Sequence, residues 1–340
     1  MPKVSHEALE QSVEDASLRD TVRRLERQLA DAKRKTEKLV AATFDAAKDA
    51  MVVFGPPPAV PLPPADSRAH NEEVAVWHLT DWQGRKVTTS YNGDVMRARV
   101  EQFGEKARML TEVQRADHPV RTCVVAFGGD MGEGLFNYPT QPFEIDATIF
   151  EQFVSVGNLE AWVVRYALAL YERVVVVCEW GNHGRIGSKR SAVPRSDNFD
   201  RMTYELARQI VGPDDRLTWQ ESADDIQHIE VGNYRALLIH GDEIGRNGFA
   251  SRNTIVQHVN RWRSGAHRWG FRDVYCGHYH VHGEDALANG EGSVYWTGST
   301  ESDNRYAGDT LASSALPSQR INFVDPDAGR VTCSYKVWLD

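Results

Sequence analysis

The sequence contains few cysteines and no pattern that would use them together. Its 340 residues include four, at positions 123, 178, 276 and 333, and no two of them form a CxxC pair. Three stand in apolar runs, where a free cysteine behaves as a small buried hydrophobe. This scarcity argues against a disulfide framework and predicts a reducing compartment.

Long apolar runs and an excess of positive charge are also missing. No apolar run approaches the ~18 residues of a membrane span, and the first 20 residues lack the apolar core of a signal peptide. We therefore expect a soluble, cytoplasmic protein with no membrane partner. A formal net charge of −9 argues against a strongly basic DNA-coating protein, but it does not exclude a local basic groove.

Glycine and proline are absent from residues 5–50, which are rich in Ala, Glu, Lys, Arg and Leu. Apolar or small residues recur there at alternating intervals of four and three, at positions 18, 22, 25, 29, 32, 36 and 39. The spacing predicts an N-terminal helix over 1–54 and is typical of a coiled coil that would form a homo-oligomer through 5–50. An amphipathic helix packed on its own globular domain fits the same pattern, so both interpretations stay open.

Proline is instead concentrated in a short segment after this helix. The stretch "GPPPAVPLPPAD", residues 55–66, holds six of the 14 prolines, which predicts a stiff, extended linker over 55–70. The remaining residues, 71–340, have a length that suits one catalytic domain. A hydrophobic fraction of 41% and nine tryptophans are enough for a sizeable core.

Short apolar runs and longer amphipathic stretches alternate in this region. The runs predict strands at 74–80, 122–129, 174–180, 234–241, 273–280 and 293–299. The amphipathic stretches predict helices at 94–116, 146–173 and 198–211. Uninterrupted Val-rich strands between helices predict an α/β fold with strands buried on both faces, and the strand-rich C-terminal part predicts a mixed sheet.

Five of the predicted strands end in the same kinds of residue. They finish as "VWHLTDWQ", "VVAFGGDMG", "VVVVCEWGNHG", "RALLIHGDEIG" and "VYCGHYH", so that each supplies Asp, Asn or His, mostly beside a glycine. Ligands of such folds bind where strands end and loops begin. One such ending would be an ordinary glycine-rich turn, but five of them place oxygen and imidazole ligands in one crevice.

The mixture of these ligands indicates the kind of metal. Imidazole and carboxylate without thiolate suit Mn, Fe, Zn, Co or Ni better than a structural zinc site. Seven or so ligands exceed the need of a single tetrahedral ion, which takes about four. Two divalent ions ~3.5–4 Å apart that share a carboxylate would use them all, clamp a phosphate and lower the pKa of a bridging water.

The order Asp-x-(His), Gly-Asp, Gly-Asn-His, His-Gly, Gly-His-x-His resembles the calcineurin-like metallophosphoesterase superfamily, over about residues 74–299. The resemblance implies a two-layered mixed β-sandwich flanked by helices, with a dinuclear centre at the strand ends and manganese as the expected metal. It implies one ion held by Asp81, Asp130 and His280, with Gln83 nearby. It implies a second ion held by four residues, Asp130, Asn182, His240 and His278.

The same resemblance assigns a catalytic role to His183, beside the phosphate, as general acid or as a stabiliser of developing charge. Two positions depart from the family pattern. Gln83 stands where the family usually has His, so the first ion would be held more loosely, and Gly184 stands where an acidic residue usually follows His183. The second departure predicts a smaller role for a carboxylate in orienting His183.

A cluster of cations follows the third motif and bears on the substrate. The stretch "GRIGSKRSAVPRSDNFD" carries Arg185, Lys189, Arg190 and Arg195, which suits several phosphates or a nucleic acid strand. Arg185, two residues after His183, is the best candidate for a bidentate phosphate contact and is counted with the catalytic residues. Arg185, Lys189 and Arg190 are therefore the predicted substrate-binding residues, although a solvated loop would look the same.

These features predict a metal-dependent phosphoester hydrolase in which a metal-bridged hydroxide attacks in line. A phosphodiester in DNA or RNA is the preferred substrate. Gln83 and the net acidity favour a nucleotide diphosphatase or a small-molecule phosphomonoesterase as the alternative. A third interpretation is a non-catalytic assembly protein that uses the phosphoesterase fold as a platform.

Overall fold

The computed structural model describes residues 19–24, 27, 60–135, 137–138, 140–186, 196–220, 226–244, 250–302 and 316–340. The chain divides into two units, Met1–Val53 and Phe54–Asp340. Of the first unit, residues 19–24 and 27 are described, and these are helical and exposed. The rest of the predicted coiled coil lies outside the described residues, and residues 60–69 form neither helix nor strand. The predicted division into helix, linker and catalytic domain stays a prediction.

The second unit contains eleven described strands and four described α-helices. The strands are β1 (Val74–Leu79), β2 (Thr122–Phe127), β3 (Arg173–Cys178), β4 (Leu217–Gln220), β5 (Gln227–Val231), β6 (Tyr234–Ile239), β7 (Asp273–Cys276), β8 (Gly283–Ala286), β9 (Ser293–Trp296), β10 (Ser318–Asp325) and β11 (Arg330–Trp338). The helices are α1 (Gly93–Arg115), α2 (Ile149–Leu170), α3 (Phe199–Val211) and α4 (Arg252–Arg261).

The strands form two mixed sheets. The first has the order β11-β10-β1-β2-β3-β4, in which β1 to β4 run parallel and β10 and β11 are antiparallel. The second has the order β5-β6-β7-β9-β8, with β6, β7 and β9 parallel and an antiparallel strand at each edge. Parallel neighbours bring the carboxyl ends of β1, β2 and β3 to one edge of the first sheet, and those of β6 and β7 to one edge of the second.

Alternation along β1 shows how the sheets are buried. Trp77 points to a core formed with α1 and α2, together with residues such as Phe103. Val76 points the other way, into a core shared with Ala236 and Tyr275 of the second sheet. A third core joins the outer face of the second sheet to α4. The result is a two-layered sandwich with a helical layer on each outer face.

The predicted fold class, a two-layered mixed β-sandwich flanked by helices, is confirmed. The strands end one to four residues earlier than predicted, because the polar residues that follow them leave the extended conformation. Five strands were not predicted, namely β4, β5, β8, β10 and β11. No helix in the described part of the chain is long and apolar enough to span a membrane.

Candidate metal centre

Five of the predicted ligands share an unusual backbone conformation. Asp81, Gln83, Asp130, His278 and His280 have positive φ angles of 48° to 68°, and just two other described non-glycine residues do. The left-handed region is unfavourable for residues with a Cβ. Such strain persists where the surrounding structure enforces it, and it clusters at functional sites. The strand ends are therefore bent in a way that turns these side chains toward a common point.

We call Asp130, Asn182, His240 and His278 the Asp130 half of the centre. Nε2 of His240 lies 3.0 Å from Oδ2 of Asp130 and 3.0 Å from Oδ1 of Asn182. The ligand atoms of Asp130, His240 and His278 all lie within 4.8 Å of one another. Nδ1 of His240 donates to the carbonyl oxygen of Gly128 at 2.8 Å, which leaves Nε2 directed at the other ligands.

Asp81, Gln83 and His280 form the Asp81 half. Nε2 of His280 lies 3.3 Å from Oδ1 of Asp81 and 3.4 Å from Nε2 of Gln83. Nδ1 of His280 lies 3.3 Å from Oε2 of Glu301, so the ring has one nitrogen engaged and the other facing this group. Asp81 and Gln83 are fully buried, and within the described residues Oε1 of Gln83 has no hydrogen-bond partner.

The two halves are tied together through the backbone. The N–H of His278 donates to Oδ2 of Asp81 at 2.9 Å, and the hydroxyl of Thr80 donates to the same oxygen at 2.8 Å. Two glycines permit this close approach. A Cβ on Gly181 would lie 2.0 Å from Oδ1 of Asp130, and one on Gly277 would lie 2.6 Å from Oδ2 of Asp81. Any larger residue at either position would displace a carboxylate of the centre.

A buried carboxylate outside the predicted set supports the Asp130 loop. Asp200 lies in the first turn of α3 and accepts from the N–H of Asp130 at 2.8 Å, of Met131 at 3.0 Å and of Gly181 at 2.8 Å. Its pKa is raised to about 6, chiefly by burial and by the nearby Asp130 carboxylate. Asp200 thus joins the ends of β2 and β3, where Asp130 and Asn182 stand.

His183 has a carboxylate partner that the sequence did not reveal. Its Nδ1 lies 3.2 Å from Oε2 of Glu133, and its backbone N–H donates to Oδ1 of Asp130 at 2.7 Å. The predicted smaller role for a carboxylate in orienting His183 considered position 184 alone, whereas the carboxylate of Glu133 lies beside the ring. A Cβ at Gly184 would lie 2.4 Å from Oδ1 of Asn198, so an acidic side chain has no room there.

Charge compensation sets the protonation of these groups. Burial alone would lower the pKa of His183, but the carboxylates of Glu133 and Asp130 outweigh it and raise that pKa above its ordinary value. In the same way Asp81 and Glu301 raise the pKa of His280 to about 10 against the effect of burial. Burial and the neighbouring His240 lower the pKa of His278 to about 4.

The predicted substrate-binding residues have mixed outcomes. Arg185 is buried and forms an ion pair with the fully buried Asp242. Lys189 and Arg190 lie outside the described residues. Tyr138 lies beside His183, at a ring-centroid distance of 5.0 Å, and its side chain is partly exposed. The hydroxyl of Tyr138 accepts a hydrogen bond from Nδ2 of Asn182 at 2.9 Å.

Sequence reasoning missed four residues that support the centre: Glu133, Tyr138, Asp200 and Glu301. Glu133 had a local signal, since it stands three residues after Asp130 in "GDMGEG". Glu301 follows the strand β9, so the rule that chemistry lies at strand ends could have found it. Asp200 and Tyr138 come from a helix start and a loop, for which the sequence held no such signal.

The residues present fit divalent cations. The two halves together offer three imidazoles, two carboxylates and two amide oxygens, all of them ligands for Mn, Fe, Zn, Co or Ni. Three observations favour such a use: the close approach of the ligand atoms of Asp130, His240 and His278, the unpartnered Oε1 of the buried Gln83, and the histidine rings held by their second nitrogens.

Comparison with known proteins gives a fold likeness and no sequence match. No family model matches the chain, and no curated protein does. Vps29 from Entamoeba histolytica complexed with zinc is 12% identical over 78% of this chain and 99% of its own, at a TM-score of 0.32. Vps29 from Cryptosporidium parvum is 10% identical over 78% and 99%, at 0.35.

A larger protein shows a similar likeness. The sulfate thiohydrolase SoxB from Thermus thermophilus is 10% identical over 81% of this chain and 58% of its own, at a TM-score of 0.32.

Proposed function

We propose that this protein is a metal-dependent phosphoester hydrolase with a dinuclear centre. The observation that carries the proposal is the convergence of Asp130, His240 and His278, whose ligand atoms lie within 4.8 Å of one another. The buried Asp81 half adjoins this group through the hydrogen bond from His278 to Asp81. One ion would be held by Asp81, Gln83, Asp130 and His280. The other would be held by Asp130, Asn182, His240 and His278.

When bound, the two ions supply Lewis acidity toward the phosphate and a water of lowered pKa. The chain's own residues supply a proton and a site for the substrate. The carboxylates of Glu133 and Asp130 raise the pKa of His183, which favours the protonated ring. Glu133 lies beside Nδ1, so that Nε2 would be the atom that serves the leaving oxygen. Arg185 binds a phosphate oxygen, which replaces Asp242 as the partner of its guanidinium group.

The substrate that we favour is a phosphodiester of nucleic acid. The basic stretch with Arg185, Lys189, Arg190 and Arg195 follows His183 in the sequence. The partly exposed ring of Tyr138 lies beside His183, at a ring-centroid distance of 5.0 Å, and an aromatic face of this kind stacks bases. We further propose that residues 5–50 form a coiled coil and make the protein a homo-oligomer.

The experiment that tests the function uses the full chain loaded with Mn²⁺. It would be assayed on bis(p-nitrophenyl) phosphate, then on single-stranded and duplex DNA and RNA, with metal content measured on the same sample. Turnover of the nucleic acids with about two ions per chain supports the proposal. Fewer than one ion per chain and no turnover on any phosphoester would overturn it in favour of a non-catalytic assembly protein.

A second candidate is a nucleotide diphosphatase or a small-molecule phosphomonoesterase. It is favoured by Gln83, where a neutral amide replaces the usual imidazole, and by the net charge of −9. Nucleoside diphosphate compounds and a phosphomonoester in the same assay distinguish the candidates. Turnover of these alone, with no loss of DNA affinity on raising the salt concentration, would select this alternative.

A further inference from the structure

We propose that Lys86 is a positioning residue that fixes two carboxylates, Glu301 and Glu133, and through them the histidines His280 and His183. The inference rests on the proposed function for the roles of the two histidines. Lys86 lies three residues after Gln83, and its backbone N–H donates to the carbonyl oxygen of Gln83 at 2.9 Å. It therefore belongs to the same turn as a candidate ligand, and its side chain forms ion pairs with Glu301 and Glu133.

The contacts of Lys86 are buried and acidic. Nζ lies 3.0 Å from Oε1 of Glu301 and 3.7 Å from Oε2 of Glu133, and the three side chains are 7%, 1% and 2% exposed. A third carboxylate, Glu144, lies 3.9 Å away but is 43% exposed. Because water screens the Glu144 pair and not the other two, Lys86 acts mainly on Glu301 and Glu133.

Each of these carboxylates in turn holds one histidine by the same nitrogen. Oε2 of Glu301 lies 3.3 Å from Nδ1 of His280, and Oε2 of Glu133 lies 3.2 Å from Nδ1 of His183. The five side chains form a continuous series, His280–Glu301–Lys86–Glu133–His183, in which the three central members are buried and the two histidines are each 18% exposed. A carboxylate on Nδ1 fixes the ring orientation and leaves Nε2 for the metal or the substrate.

Lys86 is the member of this series whose removal changes the rest most. Burial of a carboxylate without a compensating cation is unfavourable. Lys86 supplies that cation to two buried carboxylates at once, at 3.0 Å from Glu301 and 3.7 Å from Glu133. A buried network of this kind is coupled, so a change at Lys86 reaches both histidines.

The test compares four variants of the full chain. Lys86→Met removes the positive charge and keeps a side chain of similar length, whereas Lys86→Arg keeps the charge. Glu301→Gln removes the carboxylate beside His280, and Glu133→Gln removes the one beside His183. Glu144→Gln is the matched control, because it removes the exposed third carboxylate. The readouts are Mn²⁺ affinity by calorimetry and the ¹⁵N resonances of the Nδ1 atoms of His183 and His280 in metal-free protein, with the melting temperature as a check of folding.

We expect Lys86→Met to alter both Nδ1 resonances and to weaken the looser Mn²⁺ step by about 10-fold or more. Glu301→Gln should alter His280 alone, Glu133→Gln should alter His183 alone, and Lys86→Arg should restore most of the affinity. Glu144→Gln should change nothing. A folded Lys86→Met protein that leaves either histidine unaltered would overturn the inference.

If Lys86→Met does not fold, the remaining variants test the inference. It is supported if Lys86→Arg leaves the Nδ1 resonances of both histidines at their native values and if each glutamine variant alters the resonance of one histidine alone. Effects of Glu301→Gln or Glu133→Gln on both histidines equally would contradict it. These readouts need no turnover, so an inactive protein with an intact series would refute the proposed function and leave the role of Lys86 standing.

Discussion

The two halves of the candidate centre differ in how completely the protein assembles them. In the Asp130 half, two imidazoles, a carboxylate and an amide oxygen approach closely, and His240 bonds both Asp130 and Asn182 at 3.0 Å. In the Asp81 half a single imidazole faces Asp81 and the neutral Gln83, at 3.3 and 3.4 Å. The Asp130 half has more ligands, and its two loops are held together by Asp200.

The affinity of a metal site depends on the groups that hold its ligands as well as on the ligands themselves. The Asp130 half is organised by backbone N–H groups, which cannot change partners easily. The Asp81 half relies on a charged side-chain series through Glu301 and Lys86, in which a proton can replace a missing cation. We therefore expect a tight ion in the Asp130 half and a looser one in the Asp81 half.

The largest effect should come from Asp130→Asn, because this carboxylate would serve both ions. We expect the tight step of Mn²⁺ binding to disappear from the calorimetric titration and phosphodiesterase activity to fall to background. Asp117→Asn, an exposed carboxylate at the end of α1, is the control. If Asp130→Asn keeps both Mn²⁺-binding steps, Asp130 is not a ligand, and the two halves do not differ in the way described above.

Acidity should weaken both halves, since each contains a histidine whose pKa is raised against the effect of burial. Asp130 raises the pKa of His240, and Asp81 and Glu301 raise that of His280. His280, with a pKa of about 10, holds a proton in the metal-free protein at neutral pH, so an ion must displace it. Metal affinity should therefore fall as the pH falls, by about 100-fold between pH 8 and 6 for one displaced proton. Calorimetry in buffers of different ionisation enthalpy counts the protons, and zero released would contradict the assignment.

The same raised pKa also stabilises the metal-free fold. Because the folded value lies above the ordinary 6.5, the contribution of His280 is fully present below pH 6.5 and is lost as the pH rises through about 10. Metal-loaded protein should lack this loss. Thermal melts of both forms between pH 6 and 10 check the sign.

Asp200→Asn should reduce affinity in the Asp130 half by about 10- to 100-fold, the usual effect of a lost supporting residue. Oδ2 of Asp200 accepts from Asp130 and Gly181 and Oδ1 accepts from Met131, so an amide nitrogen at either position would face backbone N–H donors and lose the bonds made there. The looser step should change less. An equal weakening of both steps would show that Asp200 supports the whole centre and not one half.

Gln83→His should have the smallest effect and the opposite direction. An imidazole is a stronger ligand than an amide oxygen, so the looser step should tighten by about 10-fold or less. The two steps would then lie closer together in a Mn²⁺ titration, with Gln83→Asn as the control that keeps an amide. If Gln83→His instead lowers the Mn²⁺ affinity of the looser step, the amide at this position is a better ligand than an imidazole.

The sequence predicted the sandwich and the ligand set because both depend on local patterns. Val-rich runs, and Asp, Asn or His just after them, are readable without knowing which strands are neighbours. Asp200, Glu301 and Lys86 were not predicted, because their role depends on contacts between segments far apart in the chain. The edge strands β4 and β8 were missed because each has just four residues and none of them is fully buried, so neither forms an apolar run in the sequence.

The left-handed backbone at five ligand positions has a consequence for how this chain can change. Each such residue costs about 1 kcal/mol that a glycine would not. Glycine variants at Asp81, Gln83, Asp130, His278 and His280 lose the ligand but relieve the backbone, whereas alanine variants lose the ligand and keep the strain. The proposed chemistry thus requires backbone strain at these five positions, and at Asp81 and Asp130 the strain is offset by the hydrogen bonds that their carboxylates accept from His278 and His183.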